Sequence, residues 1–148
     1  LLRIALTLQM TLPGIPMIYY GDEVGMAGGS DPGCRGCMPW DESLWNREIN
    51  QDYRKLLSLR GRHPGVSQAE PEQLCFYNGV YAYRQEYLDD EVIVVTNTRD
   101  EVRNMNVPLK SKKSRWVELF SDTEITCIDG NLSIDSIPAQ SAMIFVPV

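Results

Sequence analysis

The first part of the chain changes from a helical apolar pattern to a strand-like one. Residues 1–12 are apolar at all but four positions, which predicts an α-helix that is covered on most sides. Pro13 and Gly14 end this helix, and the apolar run at residues 15–20 predicts a short buried strand. A helix that leads directly into a short apolar strand is typical of the α/β unit of a parallel sheet.

A glycine-rich loop and a second helix follow the predicted strand. Residues 25–39 contain five glycines, and such a loop allows the backbone to approach a ligand closely. The glycine spacing differs from that of a phosphate-binding loop, and no Lys-Ser or Lys-Thr pair follows. Asn50 is the predicted N-cap of the second helix, in which apolar residues repeat at helical spacing until Gly61 and Pro64 end it.

From residue 66 onwards, short strand-like runs alternate with turn signals. Asn78-Gly79 lies between two such runs, residues 74–77 and 80–83, and predicts a β-hairpin with a type I′ turn. Residues 92–95 are apolar throughout, as expected of a central strand. Five further strands are predicted at residues 104–107, 116–120, 124–128, 131–134 and 142–146. Strands at this spacing predict an antiparallel sandwich or barrel.

These patterns predict a mainly β fold class with two domains. Residues 1–65 form a helix–strand–helix unit like the end of a (β/α)8 barrel, and residues 66–148 form an all-β domain of the antiparallel, Greek-key-like sandwich type. A whole barrel of this kind needs about 250 residues. We therefore expect the 148-residue chain, which starts at Leu1, to be a piece of a longer protein.

Charge argues against two classes of partner. The chain has 14 Lys and Arg residues against 20 Asp and Glu residues, which gives a formal net charge of -6 and a pI near 4.8. Nucleic acids and anionic membranes both bind basic surfaces, and no apolar run approaches the roughly 20 residues of a membrane span. We therefore expect neither a nucleic-acid nor a membrane partner.

The cysteines allow two interpretations. Cys34 and Cys37 have the C-x-x-C spacing of half a zinc site or of a redox pair. A zinc site needs two more ligands, but His63 is the only histidine, and a thioredoxin-like motif would open a helix instead of lying in a loop. We therefore favour four free thiols in a reducing compartment, which predicts a cytoplasmic protein without a metal or other cofactor.

Several motifs of the chain resemble one enzyme family. Residues 14–23 read GIPMIYYGDE and resemble the eighth barrel strand of the α-amylase family, glycoside hydrolase family 13. Residues 31–41 contain DPxxRxxMPWD, which is similar to the next loop in its neopullulanase, cyclomaltodextrinase and maltogenic amylase branch. Residues 53–64 match the last barrel helix, and residues 92–97 and 137–142 resemble strands of the C-terminal β domain.

The resemblance implies a retaining hydrolase or transglycosidase that acts on α-1,4- or α-1,6-glucosidic bonds of maltooligosaccharides, cyclodextrins or pullulan. The family carries its catalytic carboxylates on the fourth, fifth and seventh barrel strands, and no residue here matches those motifs. The resemblance therefore implies that this chain has no catalytic residue and is inactive alone. It assigns sugar contact to Asp31 and Arg35, for which the alternative is a local ion pair that shapes the loop.

Asp22 and Glu23 are not expected to be the catalytic pair. Retaining carboxylates flank the scissile bond at about 5 Å, whereas neighbours on a strand point to opposite faces. We expect one of these two residues to orient a loop or strand end by hydrogen bonds. Tyr19 and Tyr20, at the end of the predicted strand, allow two interpretations: stacking on sugar rings, or packing of one or both in the core, which is favoured. His63 is expected to cap a helix end.

Two other functions stay open. The β domain is alternatively a non-catalytic carbohydrate-binding module, with Tyr81, Tyr83, Tyr87 and Trp116 as its aromatic surface, although core packing is the favoured interpretation of these side chains. The other alternative is part of a catalytically inactive amylase homologue. We also predict that the apolar helix at residues 1–12 drives self-association into a homo-oligomer or collapses onto the β domain.

Overall fold

The computed structural model describes all 148 residues and contains three α-helices and eight strands. Helix α1 spans Leu2–Thr11, α2 spans Arg47–Arg62 and α3 spans Pro64–Gln68. Two short 3₁₀-helices, Asp22–Val24 and Glu42–Leu44, lie between α1 and α2. The strands are β1 Glu72–Tyr77, β2 Val80–Tyr87, β3 Asp90–Asn97, β4 Val102–Pro108, β5 Arg115–Glu118, β6 Glu124–Ile128, β7 Asn131–Ile137 and β8 Ser141–Pro147.

The eight strands form one antiparallel sheet in the order β1-β2-β3-β8-β5-β6-β7-β4. β6 pairs with β7 only beside their connecting turn, where Cys127 lies opposite Leu132 and Ile128 opposite Asn131. Beyond this turn the β4–β7 pair folds over the remaining strands, and β1 contacts β4. The sheet therefore curls towards a barrel, and the prediction of a mainly β fold is confirmed.

The β1–β2 hairpin forms as predicted. Asn78 and Gly79 have φ angles of 46° and 84°, and positive φ at both central residues is what a type I′ turn requires. The turn sets the register, in which Tyr77 lies opposite Val80. This hairpin shows local sequence determining which residues pair.

Two apolar clusters cover the two faces of the central strands. On β3, Ile93 and Val95 pack with buried residues of β4 and β7, whereas Val92 and Val94 pack with buried residues of the helices. Since successive strand residues point to opposite faces, burial on both sides explains why residues 92–95 are apolar without alternation. The prediction that these residues form a central strand is confirmed, because β3 pairs with both β2 and β8.

Helix α1 packs on the sheet together with α2 and α3. Its buried side includes Leu6 and Met10, which pack against apolar side chains of α2 and of the sheet. Arg3 joins it to α2 by donating two hydrogen bonds, of 2.7 and 3.1 Å, to the Asp52 carboxylate. The Thr11 hydroxyl meets the buried Tyr83 hydroxyl at 2.5 Å. Docking of α1 on the β domain was one of the two predicted outcomes for this helix; self-association stays a prediction.

Residues 15–20 differ from their prediction, because they form no strand. None of the eight strands pairs with this run, and Ile15 and Met17 are 97% and 75% exposed. An apolar run becomes a strand only where another strand supplies hydrogen-bond partners. The prediction of a short buried strand at residues 15–20 is therefore wrong, because this run has no neighbouring strand to pair with.

The start of α2 also differs from its prediction. Asn46, and not Asn50, is the N-cap, since its side-chain oxygen accepts a hydrogen bond from the Ile49 amide at 3.1 Å. Asn50 lies within the first turns of α2, where its side chain donates a hydrogen bond to the Glu23 carbonyl. The predicted domain boundary between residues 65 and 66 falls within α3, which packs on β2 and β3. The division into residues 1–65 and 66–148 stays a prediction.

None of the three helices is long and apolar enough to cross a membrane.

Candidate functional site

The turn that leads into the candidate site is held against the first turns of α2. The Asn46 amide donates to the Val24 carbonyl at 2.9 Å, and the Asn50 side chain donates to the Glu23 carbonyl at 3.0 Å. Gly25, with φ of 71°, has no room for a side chain, since a Cβ there would lie 2.8 Å from Cβ of Asn46. These contacts with the start of α2 therefore fix the position of Gly25, where the loop at residues 25–39 begins.

Glu23 has the orienting role expected of one member of its pair. Its carboxylate accepts a hydrogen bond from the Gly21 amide at 2.8 Å, and Gly21 itself adopts a left-handed conformation with φ of 92°. This hydrogen bond stabilises the turn formed by residues 21–23. Glu23 is therefore used for local structure, while sequence adjacency alone did not indicate which of Asp22 and Glu23 has this role.

Asp31 and Arg35 are brought together in the loop at residues 25–39, which we call the rim loop. Nη2 of Arg35 donates to Oδ2 of Asp31 at 2.8 Å, and the two side chains are 68% and 63% exposed. The ion pair that we considered as an alternative is present. Because it occupies one donor atom of Arg35 and one oxygen of Asp31, it leaves further donors and an acceptor facing solvent, so sugar contact stays a prediction.

Two aromatic side chains bind the second half of the rim loop. The Tyr20 hydroxyl donates to the Gly36 carbonyl at 3.0 Å, and the indole N–H of Trp45 donates to the Pro39 carbonyl at 2.7 Å. Tyr19 and Tyr20 are 48% and 42% exposed, so the favoured prediction that one or both lie in the core is wrong. Sequence reasoning missed this contact; its only signal was a polar-tipped aromatic residue at the end of an apolar run.

Asp41 follows the rim loop and caps the 3₁₀-helix Glu42–Leu44. Its carboxylate accepts a hydrogen bond from the Ser43 amide at 2.9 Å. Hydrogen bonds from Ser43 lower the pKa of Asp41, because they stabilise its ionised form. A general acid in glycoside hydrolysis needs a raised pKa, so the environment of Asp41 favours a structural role.

The cysteines of the C-x-x-C motif are free thiols, with Cys34 half-buried and Cys37 exposed. Cys75 and Cys127 are also free and lie in separate strands, β1 and β6. No three His, Cys, Asp or Glu side chains of the chain are grouped as a metal site would require.

The aromatic residues proposed as a sugar-binding face of the β domain do not form one surface. Trp116 is fully buried in the cluster beneath β4 and β7, whereas Tyr83 is fully buried in the cluster beneath the helices. Burial raises the pKa of Tyr83 to about 12. Tyr81 lies partly buried beside Tyr83, with ring centroids 5.6 Å apart. Core packing is therefore the correct interpretation of Tyr83 and Trp116.

His63 has the expected structural role at a helix end and a second contact that the sequence did not indicate. Its Nδ1 lies 2.8 Å from one carboxylate oxygen of Asp90, and the other oxygen accepts a hydrogen bond from the Gly65 amide at 2.7 Å. His63 is also the C-cap of α2, as predicted, because its backbone amide donates to the Leu59 carbonyl at 2.8 Å. Its side chain additionally links the junction of α2 and α3 to the start of β3.

The chain is similar in sequence to enzymes named cyclomaltodextrinase and neopullulanase. It is 41% identical to the cyclomaltodextrinase of Thermoanaerobacter pseudethanolicus over 107 residues, which are 71% of this chain and 19% of that enzyme. It is 33% identical to neopullulanase 2 of Thermoactinomyces vulgaris over 147 residues, which are 97% of this chain and 25% of that enzyme. No protein-family model matches the chain.

A solved structure of a cyclomaltodextrinase has the same fold. It superposes with a TM-score of 0.83 at 27% sequence identity, and the match covers 99% of this chain and 25% of that chain. The chain thus spans about a quarter or less of the length of these three relatives.

Proposed function

Because the chain belongs to the α-amylase family, glycoside hydrolase family 13, we propose that it is the C-terminal part of a retaining α-glucan hydrolase or transglycosidase. Its substrates are α-1,4- or α-1,6-linked glucose oligomers such as maltooligosaccharides, cyclodextrins or pullulan. The chain contributes part of the sugar-binding rim, and its β-sheet supports the helices that carry this rim.

The exposed Asp31–Arg35 pair is the observation that carries the proposal. A carboxylate accepts hydrogen bonds from neighbouring sugar hydroxyls, and a guanidinium donates several in one plane. Here the 2.8 Å ion pair holds both groups side by side, while their unused atoms face solvent. Such a pair presents donors and an acceptor together, which matches the alternating hydroxyls of a glucosyl unit.

The chain is not expected to hydrolyse glucans alone. Hydrolysis with retention needs a nucleophilic carboxylate and a carboxylic acid about 5 Å apart across the bond. Three carboxylates in and beside the rim loop form local hydrogen bonds: Glu23 with the Gly21 amide, Asp41 with the Ser43 amide and Asp31 with Arg35. We therefore place no catalytic residue in this chain.

The experiment is a titration of maltotetraose into the chain, followed by the shifts of backbone amide resonances. We expect saturable shifts confined to the rim loop and several-fold weaker binding in Asp31→Asn and Arg35→Ala, because each removes charge-assisted hydrogen bonds. Arg115→Ala and Glu124→Gln are matched controls, since they disrupt an equally exposed 2.8 Å ion pair in the β-sheet.

Three results would contradict the proposal. The rim loop shows no shifts, the variants at Asp31 and Arg35 bind as well as the unchanged chain, or the unchanged chain releases maltose from maltotetraose. Saturable shifts centred on the sheet, with none in the rim loop, would support the carbohydrate-binding module instead.

A further inference from the structure

The two halves of the rim loop are held in different ways. Its second half receives hydrogen bonds from two aromatic side chains outside the loop, at the carbonyls of Gly36 and Pro39. In residues 27–32, the only side-chain hydrogen bond is the one between Asp31 and Arg35, which lies within the loop. Arg35 is therefore the only side chain that holds Asp31, in addition to the backbone turn in which the Gly33 amide donates to the Ser30 carbonyl and the Arg35 amide to the Pro32 carbonyl.

Tyr20 provides the anchor that is nearest to Arg35. Its hydroxyl donates to the carbonyl of Gly36, the residue immediately after Arg35, at 3.0 Å. The Gly36 backbone also packs closely on Met26, since a Cβ at Gly36 would lie 2.6 Å from the terminal methyl of Met26. A residue whose carbonyl accepts a hydrogen bond and whose Cα is closely packed has little freedom to rotate, and this limits the direction in which the preceding Arg35 side chain leaves the backbone.

We propose that the Tyr20 hydroxyl is a positioning group for sugar binding, which holds Gly36 so that Arg35, and through it Asp31, present their free donors and acceptor to the glucan. This inference rests on the proposed function, because it takes Asp31 and Arg35 as the residues that contact sugar. Tyr20 acts through the peptide backbone and makes no contact with the sugar.

The protonation state of Tyr20 suits this role. Partial desolvation, followed by the neighbouring Tyr19, raises the pKa of Tyr20. The ring of Tyr19 lies beside it, with centroids 4.8 Å apart. The hydroxyl therefore keeps its proton throughout the neutral range and remains a donor to the Gly36 carbonyl.

The test is Tyr20→Phe, which removes one oxygen from a side chain that lies outside both apolar clusters. Without sugar, we expect the Gly36 carbonyl carbon resonance to move upfield and the Arg35 Nε–H resonance to shift or broaden. With maltotetraose, we expect affinity to fall about two- to tenfold, the range for loss of one neutral hydrogen bond. Tyr77→Phe is the matched control, because Tyr77 is exposed and its hydroxyl forms no hydrogen bond within the chain; it should change none of these signals.

The two readouts separate the inference from the function on which it rests. If the unchanged chain binds no maltotetraose at the rim loop, the proposed function fails, and with it the role of Tyr20 in sugar binding, whatever the Gly36 carbonyl shows. If the unchanged chain binds and Tyr20→Phe binds equally well, the inference alone is overturned, even when the Gly36 resonance moves. An unmoved Gly36 carbonyl would also overturn it, since the proposed bond would then be absent in solution.

Discussion

The sheet and the segment between α1 and α2 relate to their sequences in opposite ways. In the sheet, a strand forms at each of the predicted positions, and both faces of β3 are covered by apolar clusters. Between the helices, the equally apolar residues 15–20 form no strand, and most of their large side chains are exposed. Residues 15–20 and the centre of β3 are thus similarly apolar in sequence, but only β3 forms a strand.

The difference lies in the partners available to the backbone. β3 has β2 on one edge and β8 on the other, so its amides and carbonyls are paired within the sheet. In and beside residues 15–20, helix side chains and not a neighbouring strand bind the backbone carbonyls. Gln9 donates to the Met17 carbonyl at 2.5 Å, and Arg60 donates to the Gly14 carbonyl. Apolar pattern predicts a strand only where the chain also supplies its neighbours.

The largest expected contrast is between two tryptophans, one in each region. Trp116→Ala should lower the free energy of unfolding by about 3–5 kcal/mol, because it empties a fully buried site in the sheet core. Trp40→Ala should change it by no more than about 0.5 kcal/mol, because Trp40 is 81% exposed. Urea denaturation followed by circular dichroism measures both. Similar costs at the two positions would show that the segment is packed as well as the sheet.

A smaller effect is expected where α1 meets the sheet. Tyr83→Phe removes a buried hydroxyl that lies 2.5 Å from the Thr11 hydroxyl and should lower the free energy of unfolding by about 1 kcal/mol. Hydrogen exchange of the α1 amides should accelerate in the same variant. Tyr87→Phe is the control, because Tyr87 lies more exposed at the end of β2. If α1 exchange is unchanged by Tyr83→Phe, this contact does not dock the helix.

Local signals in the sequence were sufficient for the sheet but not for helix ends. The hairpin at Asn78-Gly79 follows from positive φ angles that those residue types favour. The N-cap of α2 did not follow, because Asn46 and Asn50 are both reasonable caps and only the contact of Asn50 with the Glu23 carbonyl distinguishes them. That contact spans 27 positions of the sequence, and such distances are invisible to a local pattern.

The candidate site was predictable only in part, for a similar reason. Asp31 and Arg35 stand four positions apart in a motif, so their proximity is a local property. The hydrogen bond from Tyr20 to Gly36 joins residues 16 positions apart through an irregular loop, and no periodicity indicates it. A tyrosine in an apolar run is more often buried, which is why Tyr20 was assigned to the core.

At the edge strand β1, we expect a contact to contribute less to the free energy of unfolding than contacts in the sheet core do. We also expect this contribution to depend on pH. Arg84 donates to the Glu72 carboxylate at 2.6 Å, and this hydrogen bond is the main cause that lowers the pKa of Glu72. A carboxylate whose pKa is lower in the folded state stabilises the fold above its unfolded value of about 4.5, and the contribution is lost as pH falls through the folded pKa.

Glu72→Gln tests this edge contact. Because the Glu72 side chain is partly exposed, we expect the variant to lose no more than about 1 kcal/mol at neutral pH. The difference from the unchanged chain should disappear in acid, below the folded pKa, where both side chains are uncharged. Urea denaturation at the two pH values measures this. A difference that persists in acid would mean that packing, and not charge, is lost.

The smallest effect on stability is expected in the unpaired run itself. The double variant Ile15→Ser, Met17→Ser should change the free energy of unfolding by no more than about 0.5 kcal/mol per site, because both side chains are largely exposed. The same run and the α1 end, with Leu1 and Leu2, expose large apolar side chains, and exposed apolar side chains of this kind drive association. Sedimentation velocity should therefore show less self-association in the double variant.

Val94→Ser is the reference for this last prediction, because Val94 is equally apolar but fully buried in the middle of β3. It should cost several-fold more stability than either change in the run, since it removes buried methyl groups and leaves a hydroxyl among apolar neighbours. A loss above about 1 kcal/mol in the double variant would show that residues 15–20 are packed within this chain. The partner that a strand needs would then be present, and exposure would not explain why the run forms no strand.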